Sequence, residues 1–402
     1  MKLKQLKVQS KEDERVLLDD NLRPIWMLLH YNGLLPDLTL RREKNQLLRT
    51  IRFAFTFLVT LLICSIAAHE LVQLFLVMLS NRDLLNMTNT FYILLTYLSA
   101  LAHEYQFLKH IKEFQQFFKH WKKIEMQCTN SMIGVKKKRT KITIIYSFYL
   151  IILIWTSTIA FAWNILEPDQ VIFPSHWSFL RDAMDIRLLA GIMGMSFYFS
   201  HFYQLLAEAV PAMFFYHAGR AVDGLRADLQ HLSTTSSASR DNEPLRRVWQ
   251  SYELIVESVS RANELFEATI FSTLSMLFLL MSISIIQIFQ MTTRSTVMAV
   301  GLLGYFMTGV VRLIVTNQLM SGLNLSCDRL RADVAAVLSE NWYLLPEENR
   351  LFLVSFQQRL HKDQLAAAPF DLFIVNPTNL LSMLSLIVTY TVVLFQFKGP
   401  ST

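Results

Sequence analysis

Seven stretches of this chain are apolar for about 20 residues or more, the length a helix needs to cross a hydrocarbon core of about 30 Å. They lie near residues 51–79, 88–108, 142–166, 186–216, 268–291, 296–317 and 378–397. Each such run must satisfy its own backbone N–H and C=O groups in hydrocarbon, and an α-helix is the conformation that does so within one segment. The expected fold is therefore an all-α membrane protein with seven transmembrane helices. Composition agrees, with 52% hydrophobic and 17% charged residues, against about 25% charged in soluble chains. It excludes disordered, collagen-like and disulfide-stapled classes. Cys64, Cys128 and Cys327 are too few for a disulfide framework, and the spans put them in membrane or cytosol. Met1 to Thr50 has no short apolar core followed by a cleavage site, so the first span is expected to act as the insertion signal.

The net charge of +6 is unevenly distributed. Lys and Arg number ten in 1–50, ten in 109–141, six in 217–267 and five in 318–377, which makes 31 on one side. The other side carries Arg82, Arg181, Arg187, Arg294 and Lys398. The positive-inside rule then places the N-terminus in the cytoplasm, and seven crossings leave the C-terminus outside. A receptor coupled to G proteins has the opposite orientation. It also carries an Asp-Arg-Tyr at the third span and a Tyr after Asn-Pro, and both are missing here, since Asn376-Pro377 is followed by Thr378. A secondary transporter would show inverted repeats or broken helices, and the sequence shows neither.

The cytoplasmic stretches carry helical periodicity of their own. Val222, Leu225, Leu229 and Leu232 form one apolar stripe. Leu245, Val248 or Trp249, Tyr252, Ile255 or Val256 and Val259 form a second, and Cys327, Leu330, Val334 and Val337 a third. A short fourth helix is expected after Pro346, burying Leu351, Val354 and Phe356. These read as continuations of spans four, five and six, plus an added helix before span seven, packing into a bundle below the membrane. The expected division is a cytoplasmic segment 1–50, spans one to four in 51–217, helical extensions and a Ser/Thr-rich loop in 218–267, spans five and six in 268–317, anchor helices in 318–377, and span seven with an outside C-terminus in 378–402. Pro211 is expected to kink span four.

Motifs of enzymatic chemistry are lacking: there is no phosphate loop, His-Glu-x-x-His or Cys-x-x-Cys. The chain is not expected to be an enzyme, to need a cofactor or metal, or to bind nucleic acid. His69-Glu70 reads as a buried hydrogen-bonded pair rather than an acid–base or metal site. Arg312 is expected to snorkel or to meet a carboxylate. The Lys136-Lys137-Lys138-Arg139 run determines topology and offers contact with anionic lipid. Asn86-Met87-Thr88 is a glycosylation sequon on the expected outer side, whereas Asn324-Leu325-Ser326 falls inside.

The last span carries the sharpest pattern. With Thr389 at zero and about 100° per residue, Thr378, Ser382, Ser385, Val393 and Gln396 all fall within about 40° of it. The remainder of the span is mainly aliphatic and aromatic. A polar stripe of this length faces either water, shared among several copies around an axis, or a neighbouring helix packed through small hydroxyl residues.

The span ends Thr389-Tyr390-Thr391-Val392-Val393-Leu394-Phe395-Gln396-Phe397. Thr-Tyr, five mostly apolar residues and Gln-Phe resemble the signature of insect gustatory receptors. The motif covers about the last 30 residues; the seven spans, inside N-terminus and cytoplasmic extensions resemble that family over the whole chain. The related odorant receptors end similarly. The resemblance implies a ligand-gated, nonselective cation channel, a homotetramer or a heterotetramer with related subunits, in the plasma membrane of chemosensory neurons. It implies that the cytoplasmic helices form an anchor domain and that span seven lines the pore, with Ser382, Ser385 and Thr389 on the wet face and Val393 and Gln396 at the gate and constriction. Sugar-responsive members often carry an acidic residue after Thr-Tyr. Thr391 stands there instead, which turns the expected ligand toward a bitter small organic tastant. The resemblance places the ligand among spans two, three, four and six. There Phe91, Tyr92, Tyr97, Trp155, Thr158, Trp163, Met193, Met195, Tyr198, Tyr305 and Phe306 offer the aromatic and sulfur surface that suits small organic ligands.

Overall fold

The computed structural model describes residues 46–79, 84–128, 151, 186–235, 243–291, 296–343, 345–362 and 365–397. Among these the regular structure is helical. The α-helices are α1 (Gln46–Leu79), α2 (Leu84–Lys109), α3 (Ile111–Cys128), α4 (Ile186–Thr235), α5 (Glu243–Met291), α6 (Thr296–Asn341), α7 (Glu347–Lys362) and α8 (Pro377–Phe397). The third expected span lies outside the described residues, apart from Ile151. The other six each fall within one helix.

The helices α4, α5 and α6 are the frame. Each runs without a break from an expected span into its expected cytoplasmic extension, so the two parts of the molecule share continuous rods. α4 is helical straight through Pro211. Where α4 crosses α6, Gly219 makes the approach possible: a Cβ there would sit 3.0 Å from the Leu323 Cα and backbone N. α1 sits on the outside and leaves Phe55, Phe57, Leu58, Leu71, Val72 and Phe75 exposed. An apolar face of this extent belongs against lipid rather than water.

The lower bundle follows the helical stripes. Val222, Leu225, Leu229, Val248, Tyr252, Ile255, Val259, Cys327, Leu330, Val334 and Val337 are all buried. The side chain of Leu232 is outside the described set. α7 departs from expectation. Its inward face is Asn349, Leu353, Phe356 and Leu360, whereas Leu351 is 63% exposed and Val354 is half-buried. The helix is rotated by about half a turn from the expected setting for Leu351, because Leu353, Phe356 and Leu360 lie at i, i+3 and i+7 and make the broader apolar surface.

A further helix was not foreseen. α3 packs Phe114, Phe117, Trp121 and Ile124 inward, all 2% exposed or less. The Phe117 and Trp121 rings meet Phe214 of α4 edge-on, with centroids at 5.0 and 4.9 Å. Phe114 meets Phe266 of α5 at 5.4 Å. The spacing of three, four and three is helical and was legible; the lysines around it drew attention to charge instead.

Polar ties lock the bundle. Arg359 of α7 grips Glu253 of α5 with two bonds of 3.0 Å. Arg226 of α4 donates from Nε to Asp333 of α6 at 2.9 Å. Burial opposes the charge on Arg226, but Asp333 and Asp223 outweigh it and hold the guanidinium above its ordinary pKa.

Candidate functional site

The polar stripe lies on α8, opposite the face that packs. Leu380 and Ile387 are 8% and 2% exposed, and Met383 and Leu384 are partly buried against the core. On the wheel this packed face is centred about 180° from Thr389. Thr378, Ser382, Ser385, Thr389 and Val393 are all exposed. The stripe therefore points directly away from the body of its own chain. Exposed Leu381, Val388 and Val392 flank it on one side and Leu386 on the other. The hydroxyls are oriented. Ser382 donates to the Thr378 carbonyl at 3.1 Å and Thr389 to the Ser385 carbonyl at 2.9 Å. With the hydrogen turned back into the helix, the oxygen lone pairs face outward and suit a cation. Tyr390, Gln396 and Phe397 lie on α8, with side chains outside the described set.

The expected pocket residues divide. Trp155, Thr158 and Trp163 lie outside the described residues. Tyr92 and Met193 stand on α2 and α4, but their side chains are not described. Phe91 is 39% and Met195 56% exposed, so neither is enclosed within this chain. Tyr97 is buried and shares a 2.9 Å hydrogen bond with Ser196, tying α2 to α4. Tyr198 is half-buried beside Phe199, with centroids at 5.3 Å. Tyr305 shares a 3.0 Å hydrogen bond with buried His201, tying α6 to α4. Asn86 stands in the first turn of α2.

Beneath these residues the ties continue. Gln204 donates to the Thr96 carbonyl at 3.2 Å. Glu104 of α2 accepts from Thr60 of α1. Glu208 of α4 pairs with Arg312 of α6. Thr269 of α5 donates to Gln106 at 2.8 Å. A run of polar side chains thus descends through the apolar core and crosslinks α1, α2, α4, α5 and α6. Such groups are costly in a membrane unless they meet one another, as they do here. Sequence reading singled out Arg312 without naming its carboxylate partner, and it missed His201, Ser196 and Thr60. The signal for those on α4 was the density of polar residues in span four, at 196, 200, 201, 204 and 208.

A narrow cleft opens between α5 and α6. Leu277, Leu280, Met281 and Ser284 line it from α5, and Tyr305, Phe306, Thr308, Gly309 and Arg312 from α6. It shares Tyr305 and Phe306 with the expected pocket. Its other wall is α5, a helix the sequence reading did not assign to ligand binding.

The family model described as 7tm Chemosensory receptor matches residues 22–398. Among curated proteins no sequence matches the chain. The fold is similar to that of the insect olfactory receptor OR5 from Machilis hrabei, with a TM-score of 0.71 and 14% identity over 94% of this chain and 100% of that one. It is similar also to the same receptor in complex with eugenol, with a TM-score of 0.65 and 14% identity over 94% of this chain and 98% of that one. Matched over nearly its whole length, the chain belongs to the 7tm chemosensory receptor family, a family of membrane proteins that includes the insect gustatory and odorant receptors.

Proposed function

We propose that this receptor is a subunit of a ligand-gated, nonselective cation channel, gustatory in role and opened by a small organic tastant of the bitter type. Four subunits surround one axis, as homotetramer or with related chains. The cytoplasmic bundle of α3, α7 and the lower parts of α4, α5 and α6 holds them together, and α8 lines the pore. The single observation that carries this reading is the outward polar stripe of α8, 180° from the helix's own packing face. Four copies turned inward would enclose a path lined by hydroxyl oxygens, closed by a ring of Val393 and narrowed by Gln396. Ligand enters an outer-half pocket containing Phe91, Tyr92, Trp155, Thr158, Met195, Tyr198 and Tyr305, and the polar ties beneath it carry the rearrangement inward. The eugenol complex of the similar olfactory receptor supports a small organic ligand. Its fold equally favours a second reading, an odorant-detecting role in the same superfamily.

The deciding experiment is electrical. Cells expressing this chain alone, and with candidate partner chains, are exposed to a panel of bitter compounds and volatile organics under ion substitution. The reading requires a ligand-evoked current that reverses near zero in mixed monovalent cations and persists when G-protein signalling is blocked. Currents lost under that block would sink it, and a response confined to volatiles would favour the odorant role.

A further inference from the structure

One short connection, residues 365–376, joins α8 to the cytoplasmic bundle, and it is held from two sides. Asn263 of α5 clamps it with both ends of its amide: Nδ2 donates to the Ala366 carbonyl at 2.9 Å, and Oδ1 accepts the Ala368 N–H at 3.1 Å. Asn317 of α6 donates from Nδ2 to the carbonyl of Asn376, the residue just before α8, at 3.2 Å. Asn376 Oδ1 in turn accepts the Asn379 N–H at 2.8 Å and caps the helix. The Val375 N–H closes back on the Ala367 carbonyl at 2.9 Å. The clamps therefore tie the inner end of α8 to the two helices that also form the cleft.

Between the clamps the backbone is strained. Phe370 and Asp371 both have φ of 54°, the left-handed region that residues with a Cβ avoid. Consecutive residues persist there only when their surroundings over-determine them, and such places concentrate at switches. A second observation points the same way. Asn317 is 3% exposed, yet its Oδ1 has no hydrogen-bond partner. A buried amide satisfied at one end has another arrangement to gain from, since an orphaned buried acceptor is costly.

We infer that residues 365–376 are a sprung joint, with Asn263 and Asn317 as positioning residues that hold the inner end of α8, and so its polar face, in one of two arrangements. The joint rests on the pore reading only for its consequence in current; the clamp and the strain stand without it. Substitutions at Asp371 isolate the strain, because its side chain is exposed and the change falls mainly on backbone preference. Glycine relieves the left-handed conformation and favours the arrangement described here. A β-branched residue opposes it, as does loss of either clamp.

The test uses the full chain in cell membranes, with native cysteines replaced by alanine and Thr389→Cys as reporter. A charged, water-soluble methanethiosulfonate is applied without agonist, and labelling is normalised to surface protein. Asp371→Val, Asn263→Ala and Asn317→Ala are expected to shift the labelling rate in one sense and Asp371→Gly in the other, by about fivefold for the two Asp371 variants, the effect of a left-handed penalty of the usual size. A purely structural role would lower surface protein without this opposition of sign. Unchanged rates, or Gly and Val shifting alike, would overturn the joint. If the reporter cannot be labelled in any background while an external control cysteine can, the pore reading fails instead. Amide hydrogen exchange at 368 and 378–380 then decides the joint: faster in Asn263→Ala and Asp371→Val and slower in Asp371→Gly supports it, and no change rejects it.

Discussion

Arg312 of α6 and Glu208 of α4, 104 residues apart, form an ion pair almost sealed from solvent, with the arginine Nε donating to Oε2 at 3.1 Å and a second guanidinium nitrogen on Oε1. Their side chains are 4% and 1% exposed. Each charge makes the other tolerable in an apolar core.

Removing one partner should therefore do more harm than removing both. Arg312→Met or Glu208→Leu alone should cost about 3–5 kcal/mol, whereas the double variant Arg312→Met with Glu208→Leu should recover most of that loss. Melting of the detergent-purified protein, followed by size exclusion, reads the difference. A double variant no better than either single one would show that the pair is not the interaction that matters.

Gly219 sets two effects against each other. Alanine there would gain about 1 kcal/mol of helix propensity, while overpacking against the Leu323 backbone costs about 1–3 kcal/mol. Since the obstruction is main chain rather than a flexible side chain, the clash should win, and Gly219→Ala should lower the melting temperature. A stabilised variant would mean that α4 and α6 slide apart freely.

The stripe of α8 predicts a pattern of accessibility. Cysteines at 385 and 389 should react with water-soluble thiol reagents and alter current, whereas one at 387, on the packed face, should not. Val393→Ala should raise basal current by widening a dewetted constriction, and Gln396→Glu should change permeation or divalent block. Equal reactivity around the helix would assign the stripe to helix packing.

Orientation can be checked with tags. The 31-to-5 distribution of Lys and Arg predicts that an N-terminal epitope is hidden in intact cells and a C-terminal one is accessible. An accessible N-terminus would remove the basis for placing the bundle in the cytosol.

Of the residues proposed for the pocket, Tyr305 has the most defined contacts, since it joins α6 to α4 through His201 and also lines the cleft. Tyr305→Phe removes the hydrogen bond and keeps the ring; Tyr305→Ala removes both. Agonist concentration–response curves should move by about three- to tenfold for Phe, the worth of one hydrogen bond, and further for Ala. Normal curves for both would place the ligand elsewhere.

The sequence by itself determined that six of the expected spans are helical, which face of the extensions of α4, α5 and α6 is buried, and that α8 carries one polar face. These follow from local spacing, because residues three and four apart share a helix face whatever the helix later meets. It also held the signal for α3, in Phe114, Phe117, Trp121 and Ile124, which the surrounding lysines masked. Only the tertiary structure decided that α7 turns Leu353 inward rather than Leu351, that Arg312 finds Glu208, and that Tyr305 finds His201. It alone placed Phe370 and Asp371 in the left-handed region between two asparagine clamps. Each depends on the depth and rotation at which separate helices dock, set jointly by ring packing, close approaches such as Gly219 on Leu323, and the need of buried polar groups for partners about a hundred residues away. Periodicity along one chain carries the direction of a side chain, and packing in three dimensions supplies what it touches.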